Sequence, residues 1–227
     1  MTNIICEPII DHKKPVYLAC SGGVDSIAAL YFIHARRKMF NVTAVHFNHN
    51  SRLENYNMSY SVRVMCDKFG IPLISGKLDK KKSIEHNGKE DYYRQHRIEF
   101  FKEKCAGGQL VLAHHLHDCI ESYLTNALGG NPSYCPVPII TSFGDTKVIR
   151  PFMLNPKRNF IEYAKENNLM QYVVEDSTNT DTSIRRNKVR HSLIPFLEKE
   201  MDYKGEKTVA RIMIEEYKKV KSRKDKI

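Results

Sequence analysis

The feature that most constrains the fold is the segment Ser21-Gly22-Gly23-Val24-Asp25-Ser26. It lies between a short apolar run, Val16 to Cys20, and a helical pattern, Ile27 to Arg36. This order indicates a buried strand that turns through two glycines directly into a helix. Glycine permits a tight turn and lets a ligand approach the backbone, and the amides of a helix N-terminus attract anions. The segment therefore predicts a phosphate-binding loop, though not a Walker loop, because no Gly-Lys-Ser/Thr follows.

Strands and helices alternate up to about residue 128. Gly70 follows the second predicted helix, where a glycine C-cap is common, and the polar connection from Lys77 to Lys89 is expected to be mobile. This alternation predicts an α/β fold, namely a doubly wound, mostly parallel sheet. The later strands are predicted at Val42–Phe47, Ile71–Ile74 and Leu110–Ala113, and the helices at 55–69, 90–105 and 117–128.

The pattern changes after this point. Gly129 to Pro132 breaks the helix, and Gly144-Asp145 marks a loop or a small hairpin. The remaining predicted elements are a strand at 147–151 and helices at about 156–167 and 187–200.

The chain is basic, with 36 Lys and Arg residues against 26 Asp and Glu residues and a net charge of +10. We predict a main domain over residues 1–200 and a basic helical tail over 201–227. From residue 204 the tail has nine basic residues against four acids. The excess favours a polyanionic partner such as nucleic acid, the alternative being a merely basic soluble protein. One face of the tail helix would carry Val209, Ile212, Met213 and Tyr217.

The six cysteines include no Cys-x-x-Cys pair, which disfavours a zinc ribbon or a redox dithiol. A chain of 227 residues can build its core without disulfides. Reduced thiols and a cytoplasmic location are therefore expected. The N-terminus shows no apolar signal core, and no segment is apolar enough to span a bilayer.

Polar clusters follow several of the predicted strands. They are Ser21–Ser26, His46-Phe47-Asn48-His49 and His114-His115. Ligands of doubly wound sheets bind beyond the carboxyl ends of the strands, so this edge is the predicted site. On the following helix, Asp118 and Glu121 are three residues apart and share a face. They could hold magnesium, orient a substrate base or transfer a proton. His115 and Asp118 have a spacing compatible with a metal site, although no third ligand is obvious. An acidic first turn alone would explain Asp118 but not the pair His114-His115.

Two groups of arginines add to these clusters. Arg94 and Arg97 share a helix face and suit phosphate groups, with a solvated charged face as the equal alternative. The segment from Glu175 to Asp181 has side chains that fix irregular loops. It is followed by Arg185 to His191, whose dense arginines point to a phosphate or a base.

The first segment resembles the PP-loop, written SGGxDS, of the N-type ATP pyrophosphatases. Taken with the other segments, the chain resembles the tRNA(Ile)-lysidine synthase family from about residue 14 to 198. Cys119 stands where the family usually has an Asp, and Gly129-Gly130-Asn131 where it usually has Gly-Ser-Gly. The family usually carries a further C-terminal domain, so the resemblance leaves room for a protein partner or a dimer in its place. The matching segments are Ser21–Ser26, His46–His49, Arg94–Arg97, His114–Glu121, Arg150-Pro151, Asp176–Asp181 and Arg186–Arg190.

The resemblance implies a doubly wound PP-loop fold, ATP and Mg²⁺ as cofactors, and tRNA and free lysine as substrates. It implies that ATP adenylates the 2-carbonyl oxygen of the wobble cytidine and that lysine then displaces AMP to form lysidine. Asp25, Arg94, Arg97, His115 and Asp118 are the implied catalytic residues, with Asp25 near magnesium. The implied ATP-binding residues are Ala19, Ser21, Gly22, Gly23, Val24, Asp25, Ser26, His46 and Asn48. The implied substrate-binding residues are Asp118, Glu121, Asn179, Arg186, Asn187 and Arg190.

Alternative functions stay open on the sequence. A tRNA thiolase or another PP-loop amidating enzyme would share the loop, although the two-thiocytidine thiolases need a Cys-x-x-Cys pair that is absent here. A non-catalytic RNA-binding module with a vestigial nucleotide site is the third possibility.

Overall fold

The computed structural model describes residues 2–86, 90–130, 135–182 and 184–224. Within these ranges six strands form one sheet in the order β3-β2-β1-β4-β6-β5. The strands are β1 (Val16–Ala19), β2 (Val42–Asn48), β3 (Leu73–Lys77), β4 (Gln109–Val111), β5 (Ile140–Phe143) and β6 (Thr146–Ile149). The helices are α1 (Val24–His34), α2 (Leu53–Phe69), α3 (Lys80–Glu85), α4 (Glu90–Lys104), α5 (Leu116–Leu128), α6 (Lys157–Glu166), α7 (Arg185–Lys188), α8 (Ile194–Met201) and α9 (Gly205–Lys224).

The sheet confirms the predicted doubly wound, mostly parallel fold. β1 lies in the middle and pairs in parallel with β2 on one side and β4 on the other. β5 is antiparallel to β6, and the hairpin turns at Gly144, whose φ is +57°. The chain leaves β1 towards β2 and β3 and then returns to the opposite side as β4. The carboxyl ends of β1 and β4 therefore flank the topological switch point.

The core lies on both faces of the sheet. Leu18 and Ala44 belong to a large cluster with residues of α1, whereas Val45 and Leu110 pack with Phe101 of α4 on the other face. This division follows from the alternation of side chains along each strand.

α9 is part of the large cluster. Val209, Met213 and Tyr217 are buried on one of its faces, as the spacing predicts, while Ile212 is only half-buried. The Tyr217 hydroxyl donates a hydrogen bond to the carbonyl of Arg150.

The structure corrects some predicted elements. The third strand runs over Leu73–Lys77 instead of 71–74, and the supposedly mobile connection contains α3. That helix is held because Asp79 accepts a hydrogen bond from the Lys82 amide at 3.1 Å and Ser83 donates one to the His49 carbonyl at 2.7 Å.

The helix predicted at 187–200 begins at Arg185 and is interrupted by a π-turn over Val189–Leu193. Pro195 follows this turn and has no amide hydrogen to continue a regular α-helical ladder. Of the predicted break at 129–132, the part from residue 131 onward lies outside the described residues. In the part of the chain that the structure describes, no helix combines the length and apolar character that a membrane crossing requires.

Candidate active site at the switch point

The predicted polar clusters meet at the switch point. The glycine loop follows β1, and His114-His115 follow β4, so the two segments lie at neighbouring strand ends. His115 is the N-cap of α5, and its Nε2 lies 3.6 Å from Oδ1 of Asp25 at the start of α1. Side chains far apart in sequence are thus combined at the place where such folds bind ligands.

Gly22 gives the loop its shape. Its φ is +96°, and a Cβ built there would lie 3.2 Å from Cβ of Met58 on α2. Its carbonyl accepts a hydrogen bond from the Val174 amide at 3.0 Å. Gly23 is the N-cap of α1 and has an ordinary φ of −77°. With no side chain at the N-cap, the first-turn amides of α1 face the loop and suit an anion.

The two glycines should therefore respond differently to alanine. Gly22→Ala places a side chain in a disfavoured backbone region against Met58, and we expect a loss of about 1–3 kcal/mol in the free energy of unfolding. Gly23→Ala is the matched control, because its φ is negative and its nearest neighbour would be Ser21 Oγ at 3.6 Å. Urea unfolding of both variants checks this, and equal losses would contradict it.

The two serines have different environments. The buried Ser26 hydroxyl donates to the Gly23 carbonyl at 2.9 Å and accepts from the Ser21 amide at 3.1 Å. Ser26 therefore braces the loop. Ser21 is exposed, and its hydroxyl lies 3.2 Å from that of Ser26, so Ser21 is the serine that a phosphate can reach.

Asp25 carries an unsatisfied acceptor. Among the described residues its Oδ1 is buried without a hydrogen-bond partner. Burial raises the pKa of this carboxyl, while His115 and Lys157 act in the opposite direction. Lys157, at the start of α6, was not predicted from the sequence, because an isolated lysine before a helix gives no functional signal. A desolvated carboxylate oxygen of this kind fits a cation such as Mg²⁺.

His115 is oriented by its own helix. The Asp118 amide donates to His115 Nδ1 at 3.2 Å, and the His115 amide donates to Asp118 Oδ2 at 2.9 Å. Because Nδ1 accepts, the ring hydrogen of the neutral imidazole lies on Nε2, which faces Asp25. The two residues thus form a reciprocal cap that fixes the ring beside the loop.

The closing arginines bind the acidic face of α5. Arg186 donates to Asp118 Oδ1 at 2.5 Å and to Glu121 Oε2 at 2.7 Å. Arg190 donates to both Glu121 oxygens, at 2.6 and 2.9 Å. The side chain of Glu121 is 2% exposed, whereas that of Asp118 is 15% exposed. Burial alone would raise the pKa of Asp118, but the neighbouring imidazoles and Arg186 lower it to about 2.

The two asparagines of the closing segment hold its loop. The buried Asn187 amide donates to the carbonyls of Thr178 and Asp181 at 2.6 and 2.9 Å. Asn179 is exposed, and its carbonyl bonds to His191 at 2.7 Å. These contacts fix the loop against α7 and so position Arg186.

His46 and Asn48 brace the second strand end. His46 Nδ1 donates to the Cys20 carbonyl at 2.7 Å, and its Nε2 lies 2.9 Å from the Ser59 hydroxyl. The Asn48 amide donates to the same hydroxyl at 2.7 Å. Both side chains connect this edge to α2, and the half-buried Ala19 lies beside them at the end of β1.

Arg94 and Arg97 lie exposed on α4. Neither forms a hydrogen bond or an ion pair with another described residue. Arg97 is near enough to His49 to help burial lower the pKa of that imidazole to about 4. The structure therefore places these arginines towards the same edge but does not join them to His115 and Asp118.

A half-buried imidazole, that of His114, lies behind the site. Nδ1 of His114 accepts a hydrogen bond from Nε of Arg150 at 3.1 Å. Burial is the main cause that lowers the pKa of His114 to about 4, and the charge of Arg150 adds to it. Arg150 also donates to the Pro138 carbonyl at 2.8 Å.

The fold should consequently lose stability as the pH falls from 7 to 5. The unfolded chain protonates His114 near pH 6.5, whereas the folded chain keeps it neutral down to about pH 4. The unfolded state binds more protons in this window, which lowers the free energy of unfolding by about 2 kcal/mol at pH 5. His114→Gln keeps an acceptor for Arg150 and should make this dependence less steep in urea unfolding, while His49, whose pKa is also lowered to about 4, keeps its own share. An equally steep dependence in both proteins would contradict the assignment.

Comparison with known proteins adds to this geometry. Residues 2–197 match the family model described as the PP-loop domain. The chain is similar to the tRNA(Ile)-lysidine synthase of Thermotoga maritima, with 29% identity over 90% of this chain and 50% of that protein. It is 31% identical to the synthase of Chlamydia caviae, over 83% of this chain and 60% of that protein. The sequence identity with the Buchnera aphidicola synthase is also 31%, over 85% of this chain and 44% of that protein. The chain thus spans about half the length of these curated relatives.

Among solved structures, the fold is similar to that of the U34-tRNA thiolase NcsA from Methanococcus maripaludis, which was determined with its 4Fe-4S cluster. The TM-score is 0.68 at 16% identity, over 93% of this chain and 74% of that one. At this identity the likeness supports the shared fold alone.

Proposed function

The chain belongs to the PP-loop domain family, and from this membership we propose that it is an ATP-dependent tRNA-modifying ligase. In the proposed reaction, ATP activates the 2-carbonyl oxygen of the wobble cytidine of tRNA(Ile), and free lysine replaces the activating group to give lysidine. The observation that carries this proposal is the convergence of three distant segments. The glycine loop, the His115–Glu121 cap of α5 and the arginines of the closing segment all meet at the switch point.

ATP would bind across the glycine loop. The first-turn amides of α1 and the exposed Ser21 hydroxyl suit its phosphates. Asp25 Oδ1 is the acceptor suited to Mg²⁺, which when bound would neutralise charge on the phosphates.

The first step forms a bond between the cytidine 2-oxygen and the α-phosphorus and breaks the bond to pyrophosphate. In the second step an amine of lysine bonds to C2, AMP leaves with the oxygen, and the amine loses a proton. Arg94 and Arg97 are the residues that we propose to stabilise phosphate charge, because they lie exposed towards this edge.

We assign different roles to the two acids of α5. Both oxygens of Glu121 are held by Arg186 and Arg190, so Glu121 positions the arginines. Asp118 also bonds to Arg186 and to the His115 amide. Its side chain is 15% exposed against 2% for Glu121, so Asp118 is the candidate for contact with lysine or cytosine. Arg186, Arg190 and the loop held by Asn187 would then face the RNA.

The residues do not favour a thiolase. Four of the six cysteines, Cys20, Cys66, Cys105 and Cys119, are buried. Burial raises the pKa of Cys20 to about 11 and that of Cys66 to about 12, which makes both thiols unreactive. Within the described ranges no group of three His, Cys, Asp or Glu side chains is arranged to hold a metal.

One assay separates the candidate functions. The protein is incubated with ATP, a tRNA(Ile) transcript and radiolabelled lysine, and both pyrophosphate release and label in tRNA are measured. Label in tRNA that requires ATP supports the proposal. Pyrophosphate release with no label would overturn the lysine step, and RNA binding without either would support a non-catalytic module.

The substitution Asp118→Asn tests the proposed contact of Asp118 with lysine or cytosine. We expect it to reduce lysine incorporation at least tenfold while ATP binding changes little, because the amide removes the charge beside His115. Glu103→Gln is the control, since that acid lies exposed on α4 with its side chain 69% accessible. Near-normal incorporation by Asp118→Asn would remove this residue from the substrate site.

A further inference from the structure

One helix next to the site presents an unusual exposed face. Leu53, Tyr56 and Tyr60 of α2 are 75%, 65% and 62% exposed, although they are large and partly apolar. Arg63, also exposed, lies on the same face one turn further. The spacing of three and four residues aligns them in one row, with about 6 Å along the axis between the tyrosines. We call this row of four residues the α2 stripe.

The stripe is continuous with the candidate site. The opposite face of α2 carries Met58, which packs against Gly22 of the glycine loop. At the start of α2, Arg52 lies 3.5 Å from Asp176 of the closing segment, and Glu54 accepts a hydrogen bond from Ser177 at 3.1 Å. The closing segment therefore borders the stripe at its Leu53 end.

The chemistry of the stripe fits a single-stranded nucleic acid. Exposed aromatic rings next to cations form stacking platforms for unpaired bases. In the described part of the chain, neither Tyr56 nor Tyr60 stacks on another ring. The exposed Arg63 matches the sign of a phosphate backbone, and Arg52 adds a cation at the other end of the row, partly offset by Asp176 at 3.5 Å. Glu54 is turned towards Ser177. The exposed Asp67 limits the favourable surface at the far end.

We propose that the α2 stripe binds the single-stranded RNA that flanks the modified nucleotide, with bases stacked on Tyr56 and Tyr60. The inference rests on the proposed function for the identity of the RNA, but it concerns a surface outside the nucleotide loop. We expect this binding to tolerate different RNA sequences, because every base has a flat face that can stack on a tyrosine ring.

The test uses the full chain without ATP or lysine. The probe is an anticodon stem-loop RNA with 2-aminopurine beside the target cytidine, compared with a blunt RNA duplex. Tyr56→Ala/Tyr60→Ala should weaken stem-loop binding about tenfold or more and abolish the fluorescence change on stacking, with little effect on the duplex. Tyr56→Phe/Tyr60→Phe keeps the rings and should bind like the wild type. Met39→Ala, an equally exposed apolar residue at the opposite edge of the sheet, is the control.

Two results would overturn the inference. One is equal stem-loop binding by all four proteins. The other is a change from dimer to monomer in sedimentation when the tyrosines are removed, because the stripe would then cover a second copy of the chain. Loss of lysine transfer with intact tyrosine-dependent RNA binding would instead contradict the proposed reaction and leave the stripe in place.

Discussion

Replacing Asp25 with Asn is expected to lower ATP-dependent pyrophosphate release at least 100-fold while the fold remains intact. Among the residues that the structure describes, Asp25 Oδ1 is buried with no hydrogen-bond partner, and His115 Nε2 lies 3.6 Å away. Removing one preorganised group that stabilises transition-state charge costs about 10²–10³ in rate. Burial raises its pKa, which means that the ionised form is unfavourable in the folded chain. A neutral amide should therefore preserve or slightly increase the free energy of unfolding at pH 7.

Pyrophosphate release and urea unfolding are both measured on this variant. Asp91→Asn is the control, because Asp91 is an exposed acid in the first turn of α4. Wild-type turnover by folded Asp25→Asn would show that the glycine loop is not the site of ATP chemistry.

Glu121→Gln should destabilise the protein and reduce its activity together. The carboxylate is almost fully buried and holds two arginines. Removing one partner of a buried ion pair costs about 3–5 kcal/mol. The side chains of Arg186 and Arg190 are 45% and 27% exposed, so water can solvate the arginines and offset part of this cost. We therefore expect the free energy of unfolding to fall by about 2–4 kcal/mol.

Urea unfolding measures this loss against a matched exposed pair. Glu215 lies 2.8 Å from Lys218 on α9, with both side chains more than half exposed. Glu215→Gln should therefore change the free energy of unfolding by less than about 0.5 kcal/mol. Similar small losses in both variants would mean that the arginines do not depend on Glu121.

Much of the fold could be predicted because its signals are local. The two glycines before a helical pattern and the alternation of apolar runs were sufficient for the doubly wound sheet, and Gly70 indeed adopts the left-handed cap with φ +65°. α3 was missed because its local contact, from the Lys82 amide to Asp79, is only part of what holds it. The other part is the hydrogen bond from Ser83 to the distant His49 carbonyl, which the sequence does not show.

The site was predictable as a set of motifs but not as a set of contacts. Asp118 and Glu121 look equivalent in sequence, yet the fold of α7 over α5 buries only Glu121 between arginines. A histidine at the end of a strand suggests a functional role, but both ring nitrogens of His46 form hydrogen bonds that join β2 to the end of β1 and to α2. Lys157 comes near Asp25 only because α6 begins at the switch point. The burial of Glu121, the contacts of His46 and the position of Lys157 all depend on packing between distant segments, which cannot be read from a single sequence.

The hydrogen bond from Val174 to the carbonyl of Gly22 has a consequence for the order of folding. The two residues are separated by more than half of the chain, so this non-local contact carries a loop-closure entropy cost and forms slowly. During synthesis the strand and helix around the glycines can form early, but the loop lacks this anchor until residue 174 has left the ribosome. We therefore expect the glycine loop of a nascent chain to reach its anion-binding conformation late, after the parallel strands have paired.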